Sequence, residues 1–203
     1  PEAAQKAIRM VTEVGGGISC FDSEADDATL RSQLSEPTDS RFYNVVAALR
    51  RGWDLEQVHD LTKIDRWFLA MLRDIVAVEQ EICKTAESAD RAASDEIQVT
   101  AALEGVDKET WQRWKFSGFG DEQIAGLLLR PAGEALIGEV RVQRASLHVR
   151  RHRLAAGVRP VVKKIDTTAA EYPSPSNYLY LSYGGQFDDP LGDKVHERTA
   201  VVM

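Results

Sequence analysis

Cysteine is nearly absent from this 203-residue chain, with Cys20 and Cys83 as the only two and no paired spacing between them. A reducing compartment is the simple reading, and no disulfide framework is expected. Long apolar runs are missing as well. No stretch approaches the roughly 20 residues that span a bilayer, and no signal-peptide pattern opens the chain. A cytoplasmic location with no membrane partner is therefore expected. The longest stretch without acidic residues is also strongly basic. Arg141 to Lys164 holds eight Lys or Arg and no Asp or Glu, so a net charge of −7 leaves the other residues near −15. That overall acidity argues against generic nucleic-acid binding. Pro1 is not an initiator Met, and Val201-Val202-Met203 reads as the start of an apolar strand, so both ends read as cut from a longer protein. What is present is ordinary: 43% hydrophobic and 28% charged residues, enough for one large or two small domains.

The chain is organised around Leu61 to Cys83. Phe68, Leu69, Leu72, Ile75, Val76, Ile82 and Cys83 fall on one helical face, and Asp65 stands where an N-cap belongs. Trp67 and Phe68 are expected as buried anchors of its first turn. A helix over 2–12 is expected to turn Ala4, Ala7, Ile8 and Val11 inward and to end at Gly15-Gly16-Gly17. Asp22 to Pro37 reads as an acidic connector with one short helix. Phe42, Val45, Val46 and Leu49 predict a helix from about Asp39 to Arg51, and Asp54 with Gln57 has the offset of a capping box. Residues 84–105 loosen into an Ala-, Ser-, Asp- and Glu-rich stretch that reads as a mobile or weakly helical linker. Beyond it, Gly52-Trp53-Asp54-Leu55-Glu56-Gln57-Val58 recurs as Gly118-Phe119-Gly120-Asp121-Glu122-Gln123-Ile124, at a constant offset of 66. The fold class expected is all-α and multihelical, with two related helical subdomains and an extended C-terminal segment. The divisions are 1–36 (N-terminal helix and connector), 37–83 (subdomain one), 84–105 (variable linker), 106–157 (subdomain two) and 158–203 (extended connector). Pro173 and Pro175 exclude helix in the last part, where Tyr178-Leu179-Tyr180-Leu181 alternates as a half-buried strand does.

Candidate chemistry is thin. Gly15-Gly16-Gly17 follows a helix rather than a strand and has no phosphate-loop pattern, so a helix end explains it better than a phosphate cradle. His148 and His152, four apart, suit a metal, yet Arg150, Arg151 and Arg153 repel a cation. The basic face at 141–164 could grip a nucleotide or RNA, but it lacks interleaved aromatics; a solvated face or a salt-bridged interface with an acidic neighbour is the better reading. Asp166, Thr167, Thr168 and Glu171 supply no set of nucleophile, base and orienting group, and anchoring of an extended segment accounts for them. His59 and His196 are isolated. No catalytic, cofactor-binding or metal-binding residue is assigned.

Three blocks carry a family resemblance: LTKIDRWFLAMLRDIV, GFGDEQIAGLL and RPVVKKIDTTAAEYPSPSNYLYLSYGG. Together they resemble the oligomerisation, or connection, domain of the carbamoyl-phosphate synthetase large subunit. The tail looks more like the eukaryotic fused forms. QKAIRM resembles the end of the first ATP-grasp half, and the terminal VVM leads, in the family, into the second. Thr168 stands where many members have Cys, and Gly120 where a Ser cap is common. The resemblance implies an all-helical piece with no catalytic residue of its own. The implied parent makes carbamoyl phosphate from bicarbonate, glutamine-derived ammonia and ATP for pyrimidine or arginine synthesis, using ATP with Mg or Mn, and K. The implied partners are the flanking ATP-grasp halves, the glutamine amidotransferase part and a possible homo-oligomer, with no nucleic acid.

Overall fold

A computed structural model describes residues 1–12, 17–20, 25–87, 89, 92–129, 139–166, 168, 171–172 and 178–189. Nine α-helices and one two-stranded sheet are found among them: α1 (Glu2–Val11), α2 (Asp27–Ser35), α3 (Arg41–Arg50), α4 (Leu55–Thr62), α5 (Arg66–Thr85), α6 (Asp95–Leu103), α7 (Lys108–Phe116), α8 (Asp121–Leu129), α9 (Glu139–Ala155), β1 (Val161–Lys164) and β2 (Leu179–Ser182). The all-α class with an extended C-terminal segment holds. That segment is an antiparallel pair in which Val162 faces Leu181 and Lys163 faces Tyr180. Asp188 and Asp189 then bind the outer edge of β1. The Val162 amide donates to Asp188 Oδ1 at 2.7 Å, and the Lys164 amide to Asp189 Oδ2 at 2.9 Å. These acids close an edge that backbone groups would otherwise leave open.

Short polar residues start the helices. Carboxylates of Asp26, Asp54, Asp65 and Asp107 accept from the amides of Thr29, Glu56, Trp67 and Thr110 at 2.7–3.2 Å, relieving amides that have no helical partner. Gln57 does not complete the box at Asp54; it lies against the Arg31 guanidinium. The 66-residue recurrence is one turn built twice. After α3, Trp53 N–H donates to Ala48 O at 3.1 Å with Gly52 at φ +79°. After α7, Phe119 N–H donates to Trp114 O at 3.2 Å with Gly118 at φ +92°. This is the Schellman closure, in which glycine takes the left-handed position.

The two glycines differ in surroundings, and that gives a prediction. A Cβ at Gly52 meets nothing within 4 Å, whereas at Gly118 it lies 2.7 Å from Gln5 Cβ and 2.9 Å from Glu2 Cα of α1. Gly52→Ala should cost about 1–2 kcal/mol from the left-handed conformation alone. Gly118→Ala should cost a further ~1–3 kcal/mol from overlap with α1. Urea unfolding of the two variants reads the difference, and equal costs would mean that α1 does not approach this turn.

The core runs through both halves of the chain without a break. α5 packs on α3, α4 and α8, and α8 packs in turn on α6 and α9. Buried Leu69, Leu72, Ile75, Val76 and Ile82 of α5 join Ile124, Leu127 and Leu128 of α8, with Trp111, Trp114 and Phe119 among the largest fully buried side chains. Arg50 grips Glu79 of α5 through two bonds of 2.6 and 2.9 Å, and the Ile18 carbonyl at 2.8 Å, fixing the single 3-10 turn at Gly17–Cys20 to α3.

Three expectations are corrected. Trp67 and Phe68 are not core anchors: they are 68% and 52% exposed, paired edge-to-face with centroids 4.9 Å apart. Trp67 lies on the outward side of α5. Phe68 shares the azimuth of Leu72, Ile75 and Ile82, but side chains lean towards a helix's N-terminus, so a first-turn residue projects past the packed region. The 84–105 stretch is not simply a loose linker, because 95–103 is α6, burying Gln98, Val99, Ala102 and Leu103. Its inward apolar residues, Val99, Ala102 and Leu103, span a single turn, too short a stripe to stand out in sequence. In α1 the buried residue is Gln5, while Ala7 and Val11 are exposed. Ile8 does pack against the core, as expected, and the rest of the docking is polar.

Candidate functional site: a buried polar junction

The Schellman turn after α7 sets the start of α8 directly beneath α1. Gln123, in the first turn of α8 and 1% exposed, uses all four of its amide positions. Its Oε1 accepts from Arg9 Nη1 at 3.1 Å and from the Gly120 amide at 3.3 Å. Its Nε2 donates to Gln5 Oε1 at 3.1 Å and Ser19 Oγ at 3.4 Å. Arg9 also donates to the Gly118 carbonyl at 2.5 Å. Gly120 carries no capping side chain, and the Gln123 oxygen satisfies its amide instead. That is the reach-back half of a capping box, with Arg9 added.

Beside Gln123, Asp121 faces two cations. Lys115 Nζ stands 2.8 Å from Oδ1, and Arg153 meets the carboxylate through Nε at 3.0 Å and Nη2 at 2.9 Å. Arg153 Nη1 also donates to the Val158 carbonyl at 2.8 Å. Both cations are 4% exposed. The Tyr183 ring, just past β2, lies 4.9 Å from Lys115 Nζ and 5.6 Å from Arg153 Cζ, within cation–π range of each. α1 reaches the same tyrosine from the other side. Glu2 accepts from Ser182 Oγ at 2.8 Å and from the Tyr183 amide at 3.2 Å, and Lys6 donates to the Leu181 carbonyl. The first helix and the last strand are thus joined to each other and to α7, α8 and α9.

One carboxylate between two buried cations leaves surplus positive charge. Burial pushes the Lys115 ammonium down to about 8 from 10.5, against the pull of Asp121. At Asp121 burial opposes ionisation, but Arg153 and Lys115 outweigh it and hold the carboxyl below its ordinary value. Burial raises the Tyr183 phenol to about 12. A base with a depressed folded pKa binds more protons when unfolded. The Lys115 contribution to stability therefore rises as pH climbs from about 8 towards 10.5. Lys115→Met leaves Asp121 and Arg153 as a one-to-one pair. It should be at least as stable as the wild type at neutral pH, and its advantage should shrink at pH above 8. Urea melts of both proteins at the two pH values measure this, and a gap that widens with alkali would contradict it.

Of the residues singled out as candidate chemistry, Gly17 borders this junction, where a Cβ would lie 2.7 Å from Gln123 Nε2; the others placed by the structure do not gather here. Gly17 is in the 3-10 turn at φ +53°; Gly15, Gly16, Thr167 and His196 lie outside the described residues. His148 and His152 are on α9, where His148 Nδ1 stands 3.5 Å from Glu96, an acid that tertiary packing supplies. Among the described residues no group of three or more His, Cys, Asp or Glu is placed to hold a metal, and no helix is long and apolar enough to cross a membrane. His59 Nδ1 lies 2.7 Å from the Ile64 carbonyl, with Arg66 on Nε2 at 3.0 Å. Asp166 accepts from the Thr168 amide at 3.0 Å, a local turn anchor as expected for that segment. Of the basic run, Arg141, Arg153 and Lys163 pair with Asp95, Asp121 and Asp189. Part of it is thus the salt-bridged interface that sequence favoured, and the nucleotide or RNA reading draws no support. The junction itself was missed. Its signal was a lone Arg153 on the inward stripe Val142, Ala145, Val149, where a charge needs a partner.

Comparison with known proteins agrees with this architecture. The family model for the carbamoyl-phosphate synthetase large chain, oligomerisation domain, matches residues 1–146. The chain is 38% identical over 189 residues to the mitochondrial arginine-specific carbamoyl phosphate synthase large chain of Schizosaccharomyces pombe, covering 93% of this chain and 13% of the relative. It is 35% identical over 195 residues to the multifunctional protein CAD of Squalus acanthias, covering 96% and 7%. It is 37% identical over 192 residues to the human mitochondrial carbamoyl-phosphate synthase (ammonia), covering 93% and 11%. The chain therefore spans only about a tenth of the curated relatives it matches. With helices throughout and a family match over most of its length, this chain belongs to the oligomerisation domains of carbamoyl-phosphate synthetase large chains.

Proposed function

We propose that this chain is a non-catalytic connector and assembly piece of a carbamoyl-phosphate synthetase. It would hold two ATP-grasp halves, one on each side, in a polypeptide that makes carbamoyl phosphate from bicarbonate, glutamine-derived ammonia and ATP. The observation that carries this is the clamp of α1 to Ser182 and Tyr183 over the Lys115–Asp121–Arg153 cluster. A helix near one end and a strand near the other are fixed to one rigid centre, which is what a spacer between two catalytic bodies needs. The division into subdomains at 37–83 and 106–157, the glutamine amidotransferase partner, a cytoplasmic location and self-association belong to the same proposal. So do ATP with Mg or Mn, and K, as cofactors of the parent alone. Two of the three relatives above are named as mitochondrial, so location is tested by fractionation. In the intact polypeptide, Ser182→Ala with Tyr183→Ala should lower the overall rate of carbamoyl phosphate formation while each half still binds ATP. The 203-residue chain alone should hydrolyse no ATP. Turnover by the chain alone, or an unchanged overall rate in the double variant, would overturn the proposal.

A further inference from the structure

The buried junction opens to solvent through a cleft of about 270 Å³ between Arg9 of α1, the first turn of α8, and Leu147 and Arg150 of α9. Arg150 is exposed and makes no ion pair with another described residue. Arg9 spends Nη1 on the Gly118 carbonyl and Gln123 Oε1, while its Nε and Nη2 bond to no described residue. Gly120 leaves room beside that guanidinium: a Cβ there would stand 3.8 Å from Arg9 Nε and meet nothing closer. Two guanidiniums from different helices thus border one open space.

The charges around this space do not balance. Asp121 lines the cleft and is also the carboxylate held by Lys115 and Arg153 behind it. Glu122 is the other acid of the lining. Glu2, the remaining acid near Arg9, is taken by Lys6 at 3.0 Å. Arg9, Arg150, Lys115 and Arg153 against Asp121 and Glu122 leave two positive charges over.

We propose that this cleft binds a small phosphate dianion, as free phosphate or as the head of a phosphate monoester, between the Arg9 and Arg150 guanidiniums. Guanidinium is the side chain best matched to phosphate oxygens, and a monoester is close to doubly charged at neutral pH, which cancels the surplus. Leu147, 57% exposed, offers apolar surface to a small organic remainder. No aromatic side chain lines the cleft, so nothing there stacks a base, and a nucleotide gains nothing beyond its phosphate. A single carboxylate from another polypeptide would leave half the surplus in place. The inference stands apart from the connector role, because uptake needs no flanking half.

The buried cluster should sense the bound anion. Lys115 faces Asp121 from α8, Arg153 from α9, Arg9 from α1 and the Tyr183 ring past β2, and burial brings its ammonium down to about 8. An anion nearby favours the charged form, so uptake should weaken as pH rises through about 8.

Equilibrium dialysis of labelled phosphate against the 203-residue chain at constant ionic strength tests this. The wild type should take up one phosphate per chain in a saturable way. Arg150→Gln should weaken uptake at least about tenfold with an unchanged melting temperature, since the side chain is exposed. Gly120→Asp, which brings its own carboxylate beside Arg9, should weaken uptake comparably with no loss of stability. Lys115→Met should flatten the fall in uptake with alkali. Glycerol phosphate should compete; if it binds more tightly than inorganic phosphate the ligand is a monoester, and if more weakly, free phosphate. AMP should bind no tighter than glycerol phosphate. No saturable uptake at millimolar phosphate, or uptake that neither Arg150→Gln nor Gly120→Asp changes, would overturn the site, as would tighter binding of an Asp- and Glu-rich peptide than of either phosphate.

Discussion

Replacing Asp121 with Asn is expected to destabilise this fold by about 3–5 kcal/mol. Among the described residues its carboxylate is the one acid contacting two cations, Lys115 and Arg153, that are 4% exposed each. An amide of the same shape keeps the packing but removes the charge, leaving two buried cations to repel each other. The asymmetry within the cluster checks the cause. Lys115→Met removes surplus charge and should be tolerated, whereas Asp121→Asn removes the sole compensation. Guanidinium unfolding of the two variants should give opposite signs or very unequal costs. Similar costs would mean that shape, not charge balance, governs the junction.

Trp114→Ala should cost roughly 3–5 kcal/mol, and Trp111→Ala about the same. Both indoles are essentially fully buried, with ring centroids 5.3 Å apart. Trp114 also donates through Nε1 to Glu81 of α5 at 3.2 Å, so truncation opens a cavity and removes a tie between α7 and α5. Trp67→Ala, by contrast, should change stability by less than about 1 kcal/mol, since an exposed side chain loses little on removal. Thermal melts of Trp67→Ala and Trp114→Ala side by side test which of the two indoles belongs to the core. A large loss at Trp67 would show that its first turn packs more tightly than its exposure indicates.

How legible this was from sequence depended on the kind of force involved. α3 and the body of α5 were readable because aliphatic side chains at helical spacing bury one face, and that pattern needs no knowledge of partners. The Asp65 cap and the glycine turns at Gly52 and Gly118 were readable because they are local. α6 was hidden because its apolar stripe, Val99, Ala102 and Leu103, is only one turn long and stands in an Ala-, Ser-, Asp- and Glu-rich stretch. α1 was misoriented for a related reason: Glu2, Gln5 and Arg9 hold it by hydrogen bonds, and the eye goes to Ala7 and Val11. The junction draws Glu2, Gln5, Lys6 and Arg9 from α1, Lys115 from α7, Asp121 and Gln123 from α8, Arg153 from α9, Ser19 from the 3-10 turn and Tyr183 from just past β2. Each looks like an ordinary polar residue until the fold brings them together. Trp67 and Phe68 are the opposite case: large apolar side chains that stay exposed because the helix end overhangs its support.

α1 and the β1–β2 pair form one mechanical unit fixed on the buried cluster. Hydrogen exchange of α1 in the Ser182→Ala/Tyr183→Ala variant tests it most directly, because neither substitution lies in α1. Amides of residues 5–9 should exchange markedly faster once Glu2 loses the Ser182 hydroxyl and the Tyr183 ring no longer holds its own backbone over Lys115 and Arg153, while those of α3 and α5 keep their protection. Unchanged exchange in α1, with β1 and β2 alone loosened, would contradict it.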